Sequence, residues 1–333
     1  MKVLVTGCCG FIGYHVCKRI MERGHDVVGI DNMNDYYDPQ LKEDRLKGLV
    51  NFHKELIGDR SDNFFFLRGD VKDYGLLDSL VKEQEPWLIL HLAAQAGVRY
   101  SLENPFVYHD SNLTGFMNIL EISRQHELSL VYASSSSVYG DSKKKKFKET
   151  QNTDFPVSLY AATKKANEVM AYSYSKLYDQ PMIGLRFFTV YGPWGRPDMA
   201  IYKFTKNILE GKPIDVYNEG NMYRDFTYID DIVEGIYTSL RVLSEYEWEE
   251  GTIPHEIYNL GCGNPRKLID FVRTIEKYCG KKADINFLPL QPGDVLKTSA
   301  SITKAKNKLD FWPGTEMEEG IKNFVEWYKS YFL

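Results

Sequence analysis

Short apolar runs alternate with longer amphipathic segments through the first half of the chain. The predicted strands lie at 3–5, 27–30, 64–67, 88–92, 130–134 and 182–188, and the predicted helices begin near residue 11 and cover about 40–57, 73–84, 107–127 and 159–178. Apolar strands joined by helices are typical of right-handed βαβ units, whose helices cover both faces of a parallel sheet. The pattern therefore predicts an α/β protein with a doubly wound, Rossmann-type parallel sheet.

Beyond Gly192 the pattern changes, because prolines and glycines become frequent and the predicted elements become irregular. We therefore predict a Rossmann domain at residues 1–190 and a smaller C-terminal substrate-binding lobe made mainly of residues 191–333. An apolar run, IYNLG at 257–261, predicts a further strand of the main sheet. The chain is thus expected to return to the first domain within residues 229–262.

The composition narrows the possible partners. Of the 333 residues, 43% are hydrophobic and 26% are charged, which is typical of a globular protein. The net charge of −5 disfavours binding to a nucleic-acid backbone, and no apolar stretch approaches the roughly 20 residues of a membrane span. Five cysteines at scattered positions match neither a disulfide framework nor a metal site. We expect a cytoplasmic protein without nucleic-acid, membrane or metal partners.

A glycine-rich turn joins the first predicted strand to the first helix. Gly7, Gly10 and Gly13 in TGCCGFIG form a GxxGxxG pattern. Glycines at this place let the backbone approach a pyrophosphate at the helix N-terminus. Asp31 ends the second strand 18 residues after Gly13 and fits the carboxylate that accepts hydrogen bonds from an adenosine ribose. Because Asn32 rather than an arginine follows Asp31, the sequence favours NAD over NADP.

The third strand ends in a second acid. Asp70, with its neighbour Val71, is expected to meet the adenine edge, and a loop aspartate without a binding role is the alternative. Further cofactor contacts are predicted for Phe11, Ile12, Ala93, Ala94 and Lys164.

Tyr160 and Lys164 lie four residues apart in YAATK, so both project from one face of a predicted helix. A phenol has a pKa of about 10, and a tyrosine base at neutral pH therefore needs a nearby cation to stabilise its phenolate. A tyrosine and a lysine at this spacing are common in helices. They indicate a catalytic pair here because the chain also carries a dinucleotide turn and a strand that ends in four serines, Ser134–Ser137.

These motifs together resemble the extended short-chain dehydrogenase/reductase superfamily. The matching segments are GxxGxxG, HLAAQAG at 91–97, SSSSVYG at 134–140 and YAATK at 160–164, followed by RFFTVYGP at 186–193 and RDFTYIDD at 224–231, which resemble its nucleotide-sugar epimerases and dehydratases. Three further segments, AGVRYS at 96–101, PWGRPDMA at 193–200 and QPGDV at 291–295, are most similar to UDP-glucuronate 4-epimerases.

The resemblance implies an isomerase of the EC 5.1.3 type. Such an enzyme would carry tightly bound NAD and epimerise a UDP-sugar through a 4-keto intermediate, here UDP-glucuronate to UDP-galacturonate. By the resemblance Ser135 is the catalytic hydroxyl residue, although many relatives have threonine there, Tyr160 is the base and Lys164 is its partner. A homodimer is implied through the helices at 107–127 and 159–178.

The same resemblance implies the residues that bind the UDP-sugar. Arg224 would pair with the diphosphate and Asp294 with the uridine ribose. The other implied contacts are Arg99 and Arg196 near the sugar, with a surface salt bridge as the alternative for each, and Phe204, Ile214, Val216 and Tyr217 against the uracil, with ordinary core packing as the alternative for any one of them. Because a 4-keto glucuronate loses carbon dioxide readily, Ser136, Ser137 and Thr189 are further expected to hold its carboxylate by hydrogen bonds, with Arg196 as the charge. His91 is interpreted as a packed structural residue. Tyr36 and Tyr37 are assigned to a surface loop without a role.

Several alternative functions stay open at this point. A UDP-glucuronate decarboxylase shares nearly every motif, and a UDP-hexose 4-epimerase differs only in the sugar. A 4,6-dehydratase is disfavoured, because it would need an acid and base pair where Ser136 and Ser137 stand. A non-catalytic NAD-binding sensor is the distant alternative, because dinucleotide folds are also used for binding alone.

Overall fold

The computed structural model describes residues 1–57, 63–246, 254–290 and 295–333. Within these ranges the strands are β1 (Lys2–Thr6), β2 (Asp26–Asp31), β3 (Phe64–Arg68), β4 (Leu88–His91), β5 (Ser129–Ser135), β6 (Met182–Phe187), β7 (Thr189–Tyr191), β8 (Ile214–Tyr217), β9 (Tyr223–Arg224), β10 (Phe226–Tyr228), β11 (His255–Leu260), β12 (Arg266–Lys267) and β13 (Ile285–Leu288). The helices are α1 (Phe11–Glu22), α2 (Gln40–Ile57), α3 (Tyr74–Gln84), α4 (Tyr100–Glu103), α5 (Pro105–Tyr108), α6 (Gly115–Gln125), α7 (Leu159–Tyr178), α8 (Ala200–Glu210), α9 (Ile229–Ser244), α10 (Leu268–Cys279), α11 (Thr303–Leu309) and α12 (Met317–Phe332).

Among the described residues, seven parallel strands form the main sheet in the order β3, β2, β1, β4, β5, β6, β11. The central strands are almost entirely buried and rich in Val, Leu and Ile, as expected for a sheet that is covered on both faces. The strand order reverses between β1 and β4. Loops that leave these neighbours diverge there, which opens a crevice at the carboxyl ends of the strands. The predicted doubly wound parallel sheet is confirmed.

One predicted helix differs from the structure. The segment predicted as a single helix at 107–127 begins earlier, in α5, and passes through a π-helical turn at His109–Thr114 before α6. In this turn the side chain of Asn112 is buried, accepts from Gln95 N at 2.8 Å and donates to Thr163 Oγ1 at 3.0 Å. The π-helical turn is therefore accompanied by hydrogen bonds to other segments. Such contacts cannot be read from the local pattern of hydrophobic residues.

In the described part of the chain, the segments after β6 form three two-stranded pairs, β7 with β10, β8 with β13 and β9 with β12. Helices α8, α10 and α12 pack beside them, and the rings of Phe226 and Phe271 stack with centroids 4.0 Å apart. The strand predicted at 257–261 is β11, which pairs in parallel with β6 at the edge of the main sheet. Residues that follow β6 therefore contribute both to the main sheet and to the structure beside its carboxyl end.

Candidate active site

A cavity of about 900 Å³ opens at the carboxyl ends of the sheet strands, between the sheet and the segments around β7 to β10. Most residues predicted to have a role line this one cavity: Gly7, Gly10, Phe11, Ile12, Gly13, Asp31, Asn32, Asp70, Val71, Ala93, Ala94, Arg99, Ser135, Ser136, Ser137, Tyr160, Lys164, Thr189, Arg196, Phe204, Ile214, Tyr217 and Arg224. The fold thus brings residues from distant parts of the chain to the edge where α/β proteins bind ligands.

The glycine turn between β1 and α1 requires glycine for steric reasons. Gly7 has a φ of +72°, and a Cβ there would lie 2.8 Å from Ala93 N. A Cβ on Gly13 would lie 2.1 Å from Gly7 O, which is a severe overlap with backbone. Gly10 caps α1 without a side chain, so the first amides of the helix face the cavity uncovered. Such a helix N-terminus favours an anionic group.

Asp31 is buried at the end of β2 and is held by three donors. Its carboxylate accepts from Cys9 N at 3.1 Å, from Met33 N at 2.9 Å and from Lys42 Nζ at 3.4 Å. An ionised carboxylate has about four acceptor sites, so a further donor such as a ribose hydroxyl can still be bound. Asn32 donates to Asp70 at 3.1 Å and thereby links the ends of β2 and β3.

His91 supports the loop after β4 from below. Its Nδ1 lies 2.8 Å from Thr6 Oγ1, and that hydroxyl also accepts from the amides of Leu92 and Ala93. Burial, with a smaller contribution from the charge of Lys164, lowers the pKa of His91 to about 3. The imidazole therefore stays neutral at physiological pH, in agreement with its interpretation as a packed structural residue.

Ser135, Tyr160 and Lys164 converge on the cavity from β5 and α7. Helix α7 begins just before Tyr160, where Ser158 caps it by accepting from Ala161 N at 3.1 Å. One turn later Lys164 is buried and donates to the carbonyl of Ala133 at 2.9 Å, which joins α7 to β5. The side chain of Ser135 is close enough to the Tyr160 phenol to lower the pKa of that phenol.

Burial and neighbouring groups shift the pKa values of both Tyr160 and Lys164. Burial raises the pKa of Tyr160, while the neighbouring Ser135 hydroxyl and the charge of Arg196 lower that pKa and Asp198 raises it. Burial lowers the pKa of Lys164 to about 8, against the opposing effect of Glu168. Lys164 is consequently still mostly protonated at pH 7.

A buried ion pair fixes the position of α7 on the sheet. Glu168 accepts from Arg186 Nε at 2.8 Å and Nη2 at 2.7 Å and from Ser134 Oγ at 2.6 Å. Arg186 also donates to the hydroxyl of Tyr139 at 2.9 Å. Because both charged groups are paired and hydrogen-bonded, loss of either would leave an uncompensated buried charge.

Cations and hydroxyls line the other end of the cavity. Arg196 donates to both oxygens of Asp198, at 2.9 and 2.7 Å, in a bidentate pair. The guanidinium of Arg99 lies 4.6 Å from the ring centroid of Tyr217. Thr189 lies at the start of β7 and Arg224 in β9. This end therefore combines positive charge, hydrogen-bond donors and an aromatic surface.

One predicted contact, Val216, does not line the cavity. Val216 is fully buried in the hydrophobic core, because its side chain packs toward Gly220 rather than toward the cavity. Asp294 lies outside the described residues.

The structure also assigns cavity positions to residues for which the sequence predicted none. Tyr36 and Tyr37, expected in a surface loop without a role, both line the cavity, as do Lys42 and Asp198. The hydroxyl of Tyr37 accepts from Arg45 at 2.7 Å. A signal for the two tyrosines was present in the chain: they follow β2 directly, and the loops after central parallel strands border the binding crevice.

Comparison with known proteins agrees with this geometry. The family model of the NAD dependent epimerase/dehydratase family matches residues 3–261. The chain is 48% identical to the protein CapI of Staphylococcus aureus, with 100% of this chain and 99% of that protein covered. It is 47% identical to a probable UDP-glucuronate 4-epimerase of Rhizobium meliloti, with 98% and 97% covered. A crystal structure of the UDP-glucuronic acid 4-epimerase of Bacillus cereus, in complex with UDP-glucuronic acid and NAD, aligns over all of both chains with a TM-score of 0.89 and 33% identity.

Proposed function

The chain belongs to the NAD-dependent epimerase/dehydratase family, and from this premise we propose that it is an isomerase that converts UDP-glucuronate to UDP-galacturonate. The observation that carries the proposal is that three groups of residues line the same cavity. In it a dinucleotide turn, the set Ser135, Tyr160 and Lys164, and a cationic end with several hydroxyls all face one volume.

NAD is the cofactor of this family, and the residues of the turn fit it. The uncovered amides of α1 and the close backbone approach at Gly7 and Gly13 suit a pyrophosphate, and Asp31 suits the adenosine ribose. When bound, NAD would supply the oxidant for carbon 4 of the sugar, with no net consumption over a turnover. We therefore expect NAD to remain tightly bound and to copurify with the protein.

The residues of the chain supply the proton transfer. Tyr160 accepts the proton of the sugar's 4-hydroxyl as the carbon is oxidised and returns it after the 4-keto sugar has turned its other face. Ser135 hydrogen-bonds the same oxygen, and the charge of Lys164 stabilises the phenolate. Carbon 4 is inverted without net oxidation or reduction.

The carboxylate of the sugar needs separate control. Oxidation of carbon 4 of a glucuronate gives a β-keto acid, which loses carbon dioxide when the bond to its carboxylate stands perpendicular to the ketone plane. We propose that Ser136, Ser137 and Thr189 donate hydrogen bonds to this carboxylate and that Arg196 supplies the charge. When these contacts hold the carboxylate away from the perpendicular orientation, the sugar keeps its carboxylate. This retention distinguishes an epimerase from a decarboxylase.

The remaining cavity residues would bind the nucleotide. We propose that Arg224 pairs with the diphosphate, that Arg99 lies near the sugar, and that Phe204 and Tyr217 pack against the uracil. Asp294 keeps its proposed place at the uridine ribose. On this basis residues 1–190 form the NAD-binding domain, residues 191–333 mainly the UDP-sugar-binding lobe, and the chain returns to the first domain within 229–262.

We also propose a cytoplasmic homodimer that forms through α6 and α7. These helices and the neighbouring α5 carry exposed apolar side chains, among them Phe106 with 78%, Val169 with 54% and Leu177 with 68% of its surface accessible. A paired surface of this kind would bury them. In the described part of the chain no helix is long and apolar enough to cross a bilayer.

Product analysis tests the proposed activity. Purified protein is incubated separately with UDP-glucuronate and UDP-glucose, and the products are separated by chromatography and identified by mass spectrometry. We expect UDP-galacturonate as the main product and slow or absent conversion of UDP-glucose. Mostly UDP-4-keto-pentose and carbon dioxide would favour a decarboxylase, faster conversion of UDP-glucose would favour a hexose epimerase, and bound NAD without turnover of either sugar would favour a sensor.

A further inference from the structure

The loop after β2 follows Asp31, the candidate for binding the ribose. This loop also reaches the end of the cavity that contains Arg196 and Asp198, which we call the substrate end. Tyr36 in this loop is half-buried, and its hydroxyl donates a hydrogen bond of 3.4 Å to Oδ2 of Asp198. The same carboxylate holds Arg196 through two hydrogen bonds. A residue of the cofactor side is therefore connected, through one carboxylate, to the cation at the proposed sugar site.

The segment that carries Arg196 depends on outside support. It consists of turns, with Gly195 N donating to Gly192 O and Met199 N to Arg196 O, both at 3.1 Å. Trp194 has a φ of +60°, a strained conformation for a residue with a side chain. Its carbonyl accepts from Nη2 of the buried Arg45 at 2.5 Å. Arg45 and Tyr36 thus hold this segment from the same stretch of chain.

The Tyr36 hydroxyl itself has a fixed place. A Cβ on Gly97, whose φ is +105°, would lie 2.6 Å from this oxygen, so only glycine leaves room for it. The ring of Tyr100 packs beside the Tyr36 ring with centroids 4.9 Å apart. Burial and the charge of Asp198 raise the pKa of Tyr36 to about 12, so the hydroxyl remains a donor at neutral pH.

We propose that Tyr36 is a positioning residue for Arg196, and that through Asp198 it sets the preference of the enzyme for a uronate and for epimerisation over decarboxylation. A guanidinium is a rigid planar fork, and the two donors that Asp198 binds define its plane. That plane fixes the direction of the remaining N–H groups, which can bind the sugar carboxylate only where they point at it. The inference rests on the proposed function, whose carboxylate contact it extends.

The test is Tyr36→Phe, which removes one hydroxyl and keeps the ring. We expect the share of decarboxylated product from UDP-glucuronate to rise about 3- to 10-fold, the range for loss of one hydrogen bond. In calorimetric titrations, the binding preference for UDP-glucuronate over UDP-glucose should fall by a similar factor. The content of copurified NAD should not change. Asp198→Asn, which weakens the grip on Arg196 directly, should move both quantities further in the same direction.

Tyr331→Phe is the matched control. Its hydroxyl also donates to an aspartate, Asp44 of α2, but the residue does not line the cavity, and its ring contact with Trp194 is kept by phenylalanine. We expect wild-type product ratios and binding preference for this variant. The inference is overturned if Tyr36→Phe behaves like the wild type, or if both tyrosine variants change these quantities equally. If the wild type does not epimerise UDP-glucuronate, the proposed function fails, and that result is visible before any variant is compared.

Discussion

The two ends of the cavity are built in different ways. At the cofactor end, backbone groups and glycines from a short stretch around β1 and α1 do most of the shaping, with Gly13 packed against Gly7. At the substrate end, side chains from distant segments hold one another, as in the chain Tyr36, Asp198 and Arg196. The comparison shows that the cofactor end depends on glycines that leave room, whereas the substrate end depends on hydrogen bonds between side chains. Adding atoms should therefore damage the cofactor end, and removing atoms should damage the substrate end.

The largest effect is expected from adding one methyl group at the cofactor end. In Gly13→Ala the new Cβ would lie 2.1 Å from Gly7 O, and neither backbone segment can move without opening the turn. We expect protein without copurified NAD and with activity below detection, as measured by absorbance of the extracted cofactor and by the product assay. Gly75→Ala is the control, since a Cβ in this exposed helical position meets only Asp73 Oδ1 at 3.6 Å. It should keep its NAD and be unchanged or slightly more stable.

Removal of the Tyr160 hydroxyl, which lies where the two ends of the cavity meet, should lower catalysis without affecting the binding of NAD. We expect Tyr160→Phe to lower kcat by at least about 100-fold, the low end of what general acid and base catalysis contributes. NAD should remain bound, because the phenol does not shape the glycine turn. Tyr74→Phe, which loses a phenol hydrogen bond to Gln125 on the outer surface, serves as the control. Near wild-type turnover of Tyr160→Phe would remove this residue from the mechanism.

The contrast between the two ends also explains what could be predicted from the sequence. Strand periodicity, the glycine turn and the bounds of the helices at 40–57 and 159–178 are local properties, and the structure agrees with them. The π-helical turn around Asn112 was not predicted, because hydrogen bonds to other segments accompany it. The hydrogen bond between Tyr36 and Asp198 was missed for the same reason, since the two residues lie 162 positions apart along the chain.

A smaller effect is expected at the cofactor end when the side chain of Asp31 is changed, because that side chain is expected to set the preference for NAD over NADP. We expect Asp31→Ala combined with Asn32→Arg to raise the affinity for NADP relative to NAD by roughly tenfold, about 1.4 kcal/mol. The carboxylate that repels a 2′-phosphate is then gone and a cation replaces its neighbour. Because Asp31 also accepts from Cys9 N and Met33 N, the melting temperature should fall as well.

Asn32→Arg alone is the control for that experiment, because it keeps the repulsion and the loop contacts of Asp31. Fluorescence titration of cofactor-free protein with NAD and NADP gives the ratio of affinities. An unchanged ratio in the double variant would mean that the Asp31 carboxylate does not lie at the ribose.

The smallest effect is expected from a single hydroxyl at the substrate end. The backbone amide of Thr189 donates to Asp225 O at 3.1 Å, so the strand pairing of β7 does not need the side chain. Thr189→Ala should therefore fold and bind NAD normally. It should raise the share of UDP-4-keto-pentose from UDP-glucuronate only about 3-fold, because one of several donors proposed for the carboxylate is lost. Thr189→Ser, which restores the hydroxyl, should return the product ratio to the wild-type value in the same mass-spectrometric assay. If alanine and serine give the same ratio, the methyl group rather than the hydroxyl matters, and the substrate end would be shaped by packing in the way that the cofactor end is.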